Sequence, residues 1–521
     1  MNKRLSVILI IALLMALALA GCGGSPSEPA QTETPENGGT EAPEAPASQV
    51  GGSIVMVVEQ DIDYLDPHLA AASGTEEILF NIFEGLMHPD STGAVHPAVA
   101  ESYDISEDGL TYTFTLREGI KFHNGEPVTI EDVKYTMDRL MGTESGTPLR
   151  SELANVASVE TPDDSTIVFT LNQRDSAFLS NLYYAKIVPR SNEENFNSFP
   201  IGTGPFKFAE YLPEQRVVIE RFDEYWQEGV PYLDQVEFRI IPDREAALLS
   251  LQAGEIDMFP RLPIDRVAEL GPGFKTVEGL SNMVQLMPMN NNVEPFDDIR
   301  VRQAVNYAID VDEIIDAVAF GFGRKLGSNM SPVMAKYYQE GLENTYDYDP
   351  DKAMELLTEA GYPNGFDLTI TIPSNYQFHV DTGQVIFQQL ARVGIDVEIE
   401  LVEWGVWLER VYQGRDYQST IIAFTGKLDP YKVLNKYIST DRTNFFNFEN
   451  AELDELMVAA TRELDDEAAV DMYKRVQEII TENAPAVYIM DPEFSIAMKE
   501  NIGGYVLYPM YAQDMSTVYF E

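Results

Sequence analysis

Hydrophobic and polar residues alternate over residues 110–116, where threonines separate large apolar side chains. This period of two is typical of a strand with one buried face. Thr129 follows, with a carboxylate three residues later, which is the pattern of a helix N-cap. Val133, Met137 and Leu140 then fall on one face of the predicted helix. The pattern predicts a strand followed by an amphipathic helix.

The pattern between residues 366 and 402 is the most informative about the fold class. Apolar residues at every second position predict strands over 368–372 and 397–401. Between them, apolar residues at helical spacing over 386–393 predict a helix that ends at Gly394. A strand, a helix and a strand at this spacing form a βαβ unit, which requires parallel strands in a covered sheet. We therefore predict an α/β fold.

The N-terminal residues show a short basic stretch followed by an apolar run over residues 5–20. Such a run is typical of a secretory signal, and it is shorter than the roughly 20 residues of a membrane-spanning helix. Cys22, the only cysteine of the chain, directly follows Ala20 and Gly21. This arrangement resembles the bacterial lipobox, in which a signal peptidase cleaves before the cysteine and its thiol carries diacylglycerol. We predict a signal peptide over residues 1–21 and lipidation of Cys22.

Residues 22–51 have the composition of a disordered tether. Proline, glutamate and small residues dominate the segment, and it contains no aromatic residue. Such a segment buries too little apolar surface to offset the entropy lost on ordering. A tether of this kind lets the folded part of the chain stand away from a membrane surface.

Composition and charge narrow the possible partners. The 521-residue chain, with 45% hydrophobic residues, is long enough to form two or three lobes beyond the tether. It has 85 acidic and 35 basic residues, a net charge of −50. This charge repels nucleic acid and anionic lipid headgroups, so we expect neither as a partner. It would attract cationic solutes, but a charge spread over the whole chain indicates a soluble exported surface more than the nature of a pocket.

Several segments, in order along the chain, resemble the family of extracellular solute-binding proteins that serves oligopeptide, dipeptide and nickel ABC importers (family 5). The segments are residues 65–68, 83–86, 110–129, 131–133, 202–206, 225–226, 251–257, 298–310, 353–361, 365–366 and 483–485. The longest of them runs from the alternating strand through His123-Asn124-Gly125-Glu126-Pro127 to Thr129. The segments are spread along the chain, so that the resemblance extends over essentially all of residues 52–521.

The resemblance implies a two-lobe, periplasmic-binding-protein-like (type II, Venus-flytrap) α/β fold that closes around a solute. Lobe I would comprise residues 52–284 and 486–521, and lobe II residues 285–485. Residues 94–199 would form an extra subdomain inserted in lobe I. The crossings between the lobes would lie near residues 285–289 and 486–489.

The resemblance also implies the function and the partners. The chain would be the extracytoplasmic substrate-binding subunit of an ABC importer and would deliver peptides or a similar small solute to the permease subunits and their ATPases. We expect a monomer with no cofactor that is anchored to the membrane by its lipid.

Peptide-binding members of the family hold the ligand backbone like an added strand. The resemblance implies two edges for this strand. The first contains Ala71, Ala72 and Ser73. The second contains Ala423, Phe424, Thr425, Gly426, Lys427 and Asp429.

The loop in the second edge departs from the family's pattern. In many peptide-binding members an aspartate there pairs with the α-ammonium group of the ligand. Counting from Trp404 and Gly414 places Lys427 at that position, and a lysine would repel an ammonium group and favour a carboxylate or phosphate. Asp429 takes the role if the loop is one residue shorter, or it is only part of an Asp-Pro turn. Ile421 stands where some members place an arginine, so that carboxylate anchor is absent.

Aromatic residues provide the other candidate contacts. Trp404 matches a family tryptophan that lines the cleft, and a rigid aromatic ring suits a tolerant pocket. For Trp407 we expect packing inside the lobe instead. Tyr376 follows a strand end, where α/β proteins place ligand contacts, with lobe packing as the alternative. Phe424, next to the loop, is the stronger candidate of these two.

Other function classes remain open. A secreted hydrolase would need a nucleophile with its base, but the chain has neither a Gly-x-Ser-x-Gly nor a His-Glu-x-x-His motif. We therefore predict no catalytic residue and no enzyme activity. A nickel receptor is a further alternative, although the five histidines are scattered and predict no direct metal site. A metal bound as an organic chelate would leave no such signature. A sensor would look the same as an import receptor, and neighbouring permease and ATPase genes would distinguish them.

Overall fold

The structure, a computed structural model, describes residues 50–521 except residues 71, 144, 464, 509 and 511. The predicted signal peptide, Cys22 and nearly all of the predicted tether lie outside the described residues, as does Ala71. Within the described part of the chain, none of the helices combines the length and the apolar character needed to cross a membrane.

The strands of the described part are, in chain order, β1 (Ser53–Val58), β2 (Met87–Pro89), β3 (Val95–Pro97), β4 (Ala100–Ile105), β5 (Thr111–Leu116), β6 (Val156–Glu160), β7 (Thr166–Leu171), β8 (Phe206–Leu212), β9 (Arg216–Arg221), β10 (Gln235–Ile240), β11 (Met258–Leu262), β12 (Phe274–Leu280), β13 (Met283–Pro288), β14 (Gly323–Lys325), β15 (Asp367–Pro373), β16 (Asp396–Val402), β17 (Ser419–Thr420), β18 (Ile422–Thr425), β19 (Ala486–Lys499), β20 (Ile502–Gly503) and β21 (Tyr519–Phe520).

The α-helices are α1 (Ser73–Leu79), α2 (Ile130–Met141), α3 (Phe178–Asn181), α4 (Arg244–Gln252), α5 (Ile299–Ala308), α6 (Val311–Val318), α7 (Pro350–Glu359), α8 (Gln377–Ala391), α9 (Trp404–Val406), α10 (Pro430–Leu434), α11 (Ala451–Ala460) and α12 (Asp466–Asn483). A wider π-helical segment, Trp407–Gln413, continues α9.

The largest sheet has the strand order β18-β13-β19-β11-β1-β10-β9-β8, with β12 and β14 also paired to β19. The long strand β19 links its two halves. Residues 493–499 pair with β12, and residues 486–490 pair with β13. We call residues 50–280 with 493–521 the first lobe, and residues 283–490 the second lobe.

The chain passes between the lobes at Ser281 and Asn282 and returns at Asp491 and Pro492. The Asp491 side chain, fully buried, joins the two passages, because its Oδ1 accepts hydrogen bonds from the backbone N–H groups of Ser281 and Met283, each at 3.1 Å. The predicted boundaries after residues 284 and 485 fall on the second-lobe side of this crossing and stay a prediction.

The second lobe contains the predicted βαβ unit. Strands β15 and β16 pair in parallel over their full length, and α8 lies between them in the chain. β17 joins β15 on its other side, also in parallel. Ile370, Ile372, Ile386 and Leu390 are fully buried in the same apolar core. The α/β pattern of residues 366–402 is confirmed.

A separate four-stranded sheet, β4-β5-β7-β6, and α2 form a layer within the first lobe. β5 confirms the predicted alternating strand, because its buried and half-buried residues alternate. Thr129 caps α2, since its Oγ1 accepts a hydrogen bond from the Asp132 N–H and Asp132 accepts one from the Thr129 N–H. Val133, Met137 and Leu140 are buried, as the periodicity predicts. This layer lies within the predicted subdomain over residues 94–199, whose limits stay a prediction.

Candidate solute-binding cleft

A cavity of about 620 Å³ opens where the first lobe meets the crossing strands. This volume suits a small organic ligand, since such sites usually measure about 300–1,000 Å³. Most of its wall belongs to the first lobe, and Met283 and Tyr376 of the second lobe complete it. The other lining residues named below are Glu59, Ser73, Gly74, Glu77, Arg244, Arg261, Ser281, Glu493, Phe494, Tyr505 and Tyr508.

The first predicted edge lies at the start of α1. Ala72 is the N-cap residue, half-buried, and its backbone N–H donates to Asp63 Oδ2 at 2.9 Å. Ser73 is exposed and lines the cavity together with Gly74. The structure therefore places Ser73 at the cavity and Ala72 beside it.

The second predicted edge is strand β18. It stands at the end of the strand order, with β13 on one side and no strand of the described chain on the other. Thr425 lies opposite Met283, a residue of the cavity wall. The residues of β18 do not line the cavity themselves, and the strand lies one position across the sheet from the cavity wall. Such an edge can accept the backbone of an extended ligand.

Gly426 brings the following loop against the crossing. Its backbone N–H donates to the Asn282 carbonyl at 2.5 Å. A Cβ at this position would lie 2.0 Å from Asn282 Oδ1, so a larger residue would require the Asn282 side chain to move. Asn282 stands between the cavity residues Ser281 and Met283, and the loop thus begins at the cavity wall.

Two of the predicted aromatic contacts, Tyr376 and Trp404, form a cluster with Trp407. The Tyr376 ring lies 5.4 Å from that of Trp404, and Trp404 stacks on Trp407 at 5.2 Å with an interplanar angle of 6°. Tyr376 is 40% exposed and Trp404 is 36% exposed, whereas Trp407 is 2% exposed and donates to Thr420 Oγ1 at 2.9 Å. The prediction that Trp407 packs inside its lobe is confirmed. Phe424 is half-buried against the second-lobe core and lies 6.0 Å from Phe445.

Two lysines lie near the end of β18: Lys427 in the loop that follows the strand, and Lys436 in the 3₁₀ turn (Asn435–Tyr437) that follows α10. Lys427 is exposed, and its ammonium group has no ion-pair partner among the described residues. Lys436 is half-buried, donates to the Val433 carbonyl at 2.6 Å and lies 4.8 Å from the centre of the Phe424 ring. Burial, with a smaller contribution from Lys427, lowers the pKa of Lys436 to about 7. The second lysine was not identified from the sequence, because it lies beyond the family's loop pattern.

Asp429 is turned toward the helix that follows it. It caps α10, with Oδ1 accepting a hydrogen bond from the Tyr431 N–H at 2.9 Å. The residue is 6% exposed, and Oδ2 is buried without a donor among the described residues. Burial raises the pKa of Asp429 to about 6, although the nearby Lys432 opposes this shift. The carboxylate therefore has a structural role as a helix cap.

The two lobes also touch beside this helix. Lys432 donates to Asn181 Oδ1 at 2.9 Å, and the Ser176 N–H donates to the Thr461 carbonyl at 3.1 Å. These contacts join the four-stranded layer of the first lobe to the second lobe.

Ion pairs in the cavity wall were missed by sequence reasoning. Arg244 Nε donates to Glu59 Oε1 at 2.7 Å, and Arg261 pairs with Glu77. Glu77 is 2% exposed, and burial raises its pKa in spite of the arginine. The partners are separated by more than 180 residues in the chain, so no local pattern could reveal them.

His68 and His123 lie in segments that resemble the family, and both form hydrogen bonds inside the protein. His68 is 2% exposed and bonds to the Lys186 carbonyl at 2.8 Å, and His123 bonds to the Gly204 carbonyl at 3.0 Å. Burial lowers the pKa of each to about 4. Among the described residues no three His, Cys, Asp or Glu side chains are grouped to hold a metal ion.

Comparison with known proteins identifies the family. The sequence profile of the bacterial extracellular solute-binding proteins, family 5, matches residues 94–445. The chain belongs to this family. It is therefore a solute-binding protein and not an enzyme, and the predicted family and extracytoplasmic location are confirmed.

Individual relatives agree over nearly the whole chain. The glutathione-binding protein GsiB of Salmonella typhi is 29% identical over 475 residues, which are 88% of this chain and 92% of that protein. The periplasmic binding protein DppA of Helicobacter pylori, solved with the peptide STSA, is 29% identical with a TM-score of 0.75 over 91% of this chain and 99% of its own. The oligopeptide-binding protein AppA of Bacillus subtilis, solved with a nonapeptide, is 27% identical with a TM-score of 0.73 over the same shares. These structures confirm the predicted two-lobe fold.

Proposed function

We propose that this protein captures peptides, or solutes with a peptide-like backbone, in the cleft between its lobes and delivers them to an ABC permease and its ATPases. The observation that carries this proposal is the free edge of β18 beside a cavity of about 620 Å³. A ligand backbone along that edge would extend the sheet, with its side chains in the wide cavity. DppA and AppA, which are similar over the whole chain, were solved with peptides.

The proposed contacts come from both lobes. From the first lobe they are Ala71, Ala72 and Ser73. From the second they are Tyr376, Trp404, Ala423, Phe424, Thr425, Gly426 and Lys427. We assign Asp429 to the helix cap, with the loop end of the site governed by Lys427. Since lysine favours an anion, we propose that a carboxylate or another anionic group of the solute lies at this loop.

A backbone-methylated peptide tests the edge-strand proposal. Calorimetry would compare tri- to pentapeptides with the same peptides carrying single N-methyl groups. Each N–H that bonds to β18 should reduce binding by about 1 kcal/mol when it is methylated. Equal binding of methylated and unmodified peptides would reject the edge-strand proposal. Binding of sugar acids or metal chelates, but of no peptide, would reject peptides as the solute.

We also propose that the chain is a monomer held at the membrane by a lipid on Cys22. The lipobox-like residues before Cys22 and the tether composition of residues 22–51 support this. Cys22→Ala should release the protein from the membrane fraction or leave it unprocessed. Unchanged membrane association without a lipid on the protein would contradict the proposal.

A further inference from the structure

The cavity wall contains three carboxylates and two guanidinium groups. Arg244 and Arg261 pair with Glu59 and Glu77. The third carboxylate, that of Glu493, forms neither an ion pair nor a hydrogen bond with any described residue. The cavity thus has a negative group whose charge no described cation neutralises.

The backbone holds Glu493 firmly in place. It lies in the part of β19 that pairs with β12, directly opposite Leu280. Its backbone N–H donates to the Phe322 carbonyl at 3.3 Å. The side chain is half-buried in the cavity wall. A carboxylate on a paired strand is a preorganised acceptor for a ligand.

Asp491, two residues earlier, is buried and is not one of the residues that line the cavity, and its burial favours the neutral carboxyl group. Its carboxylate is fully buried and accepts hydrogen bonds from Ser281, Met283 and Ser331, all of them neutral donors. Burial raises the pKa of Asp491 to about 7, and the charge of Glu493 adds to the shift.

Aromatic rings surround the same space. Tyr376, Phe494, Tyr505 and Tyr508 all line the cavity. The hydroxyl groups of Tyr505 and Tyr508 donate to Gln513 and Asp514, so these hydroxyls already have partners within the protein. Aromatic faces next to a carboxylate favour an ammonium or guanidinium group, through cation–π attraction as well as charge.

We propose that Glu493 binds a positively charged group of the solute, a primary amine or a guanidinium, inside this cavity. The proposal rests on the proposed function, because it concerns the solute of the same cleft, and it narrows that solute to cationic or zwitterionic compounds. Together with an anionic group at Lys427, it predicts a solute that carries both charges.

The test compares two series of compounds by calorimetry with wild-type protein, Glu493→Gln and the control Glu500→Gln. The control removes one exposed glutamate outside the cavity. The peptide series pairs N-acetylated tripeptides containing lysine or arginine with the same N-acetylated tripeptides containing norleucine or citrulline, so that the side chain is the only cationic group. The amine series pairs butylamine and putrescine with the uncharged alcohols 1-butanol and butane-1,4-diol. Thermal unfolding of each variant confirms that it is folded.

We expect the wild type and Glu500→Gln to prefer the cationic member of a pair by about tenfold or more, which is about 1.4 kcal/mol. In Glu493→Gln this preference should fall to near one, with little change for neutral peptides. Peptide binding without any preference for the cationic member would overturn the inference and leave the proposed function standing. Glu493-dependent binding of amines without any binding of peptides would support the inference and reject peptides as the solute. Preference that persists in Glu493→Gln, or no binding by any cationic compound, would overturn the inference.

Discussion

Charged side chains occur in the cavity wall near the crossing strands and also in the loop after β18. In the wall most of these charges form ion pairs within the protein, whereas in the loop they form none with the described residues. Arg244 and Arg261 each have a glutamate partner. Lys427 in the loop has no ion-pair partner among the described residues, and Lys436, in the 3₁₀ turn after α10, donates to a backbone carbonyl and lies over the Phe424 ring. A paired charge helps to hold the wall together, whereas an unpaired one can gain a partner from a ligand. The difference indicates which charges serve stability and which serve recognition.

Reversal of the charge at Lys427 should have the largest effect on the affinity for the solute. Lys427→Asp should weaken binding of a solute with an anionic end by about 2–5 kcal/mol, because a desolvated charge pair would become a repulsion. Asp429→Asn should have a small effect, since asparagine also caps helices. Calorimetry of both variants with free and N-acetylated peptides measures this. If Asp429→Asn gives the large loss and Lys427→Asp a small one, Asp429 is the ligand contact and our assignment is wrong. If neither changes binding, the loop does not line the site.

Removal of a paired charge should instead affect stability. Arg261→Met leaves Glu77, which is 2% exposed, without its cation and should reduce the free energy of unfolding by about 3 kcal/mol. Burial raises the pKa of Glu77 already, and loss of the arginine should raise it further. A raised pKa in the folded state means that stability is greatest at low pH and is lost as the pH rises. The free energy of unfolding that Arg261→Met loses relative to the wild type should therefore be larger at pH 8 than at pH 5.

Urea unfolding at both pH values measures the effect, with Glu77→Gln as the matched variant. Glu77→Gln leaves Arg261, which is partly exposed, without its glutamate, and this variant should lose less free energy of unfolding than Arg261→Met. Equal losses for the two variants would show that the pair itself, and not burial of a lone carboxylate, determines the stability.

The pH dependence of binding should give the smallest effect. Because the pKa of Lys436 is lowered to about 7, the free protein loses this charge as the pH rises from 6 to 8. A solute that binds with its anionic group near Lys436 favours the charged form, so its affinity should fall by up to about tenfold over this range. Lys436→Gln should bind more weakly at pH 6 and show a flatter profile. An identical profile in both proteins would place the solute's anion elsewhere.

Different parts of the molecule also differ in how far the sequence predicts them. The unit at residues 366–402 and the cap at Thr129 depend on contacts within one segment, and both were predicted in detail. The resemblance likewise placed β18 at the cleft. The Arg261–Glu77 pair joins residues that are far apart in the chain, and Glu493 stands in a strand without any local motif.

The loop shows a different limit. Spacing alone left Lys427 and Asp429 as alternatives, because they lie only two residues apart in a loop whose length the sequence does not fix. Asp429 caps the helix that begins at Pro430 through Oδ1, which is why we propose Lys427 as the ligand contact, and the two variants above test that choice.

A crystal structure of the protein with the tightest-binding peptide of the panel would test the central claim most directly. We predict that the bound peptide has an extended backbone that hydrogen-bonds to β18, an anionic group at Lys427 and a cationic group within ion-pair distance of Glu493. A peptide bound outside the cavity, or one in the cleft without any hydrogen bond to β18, would contradict it.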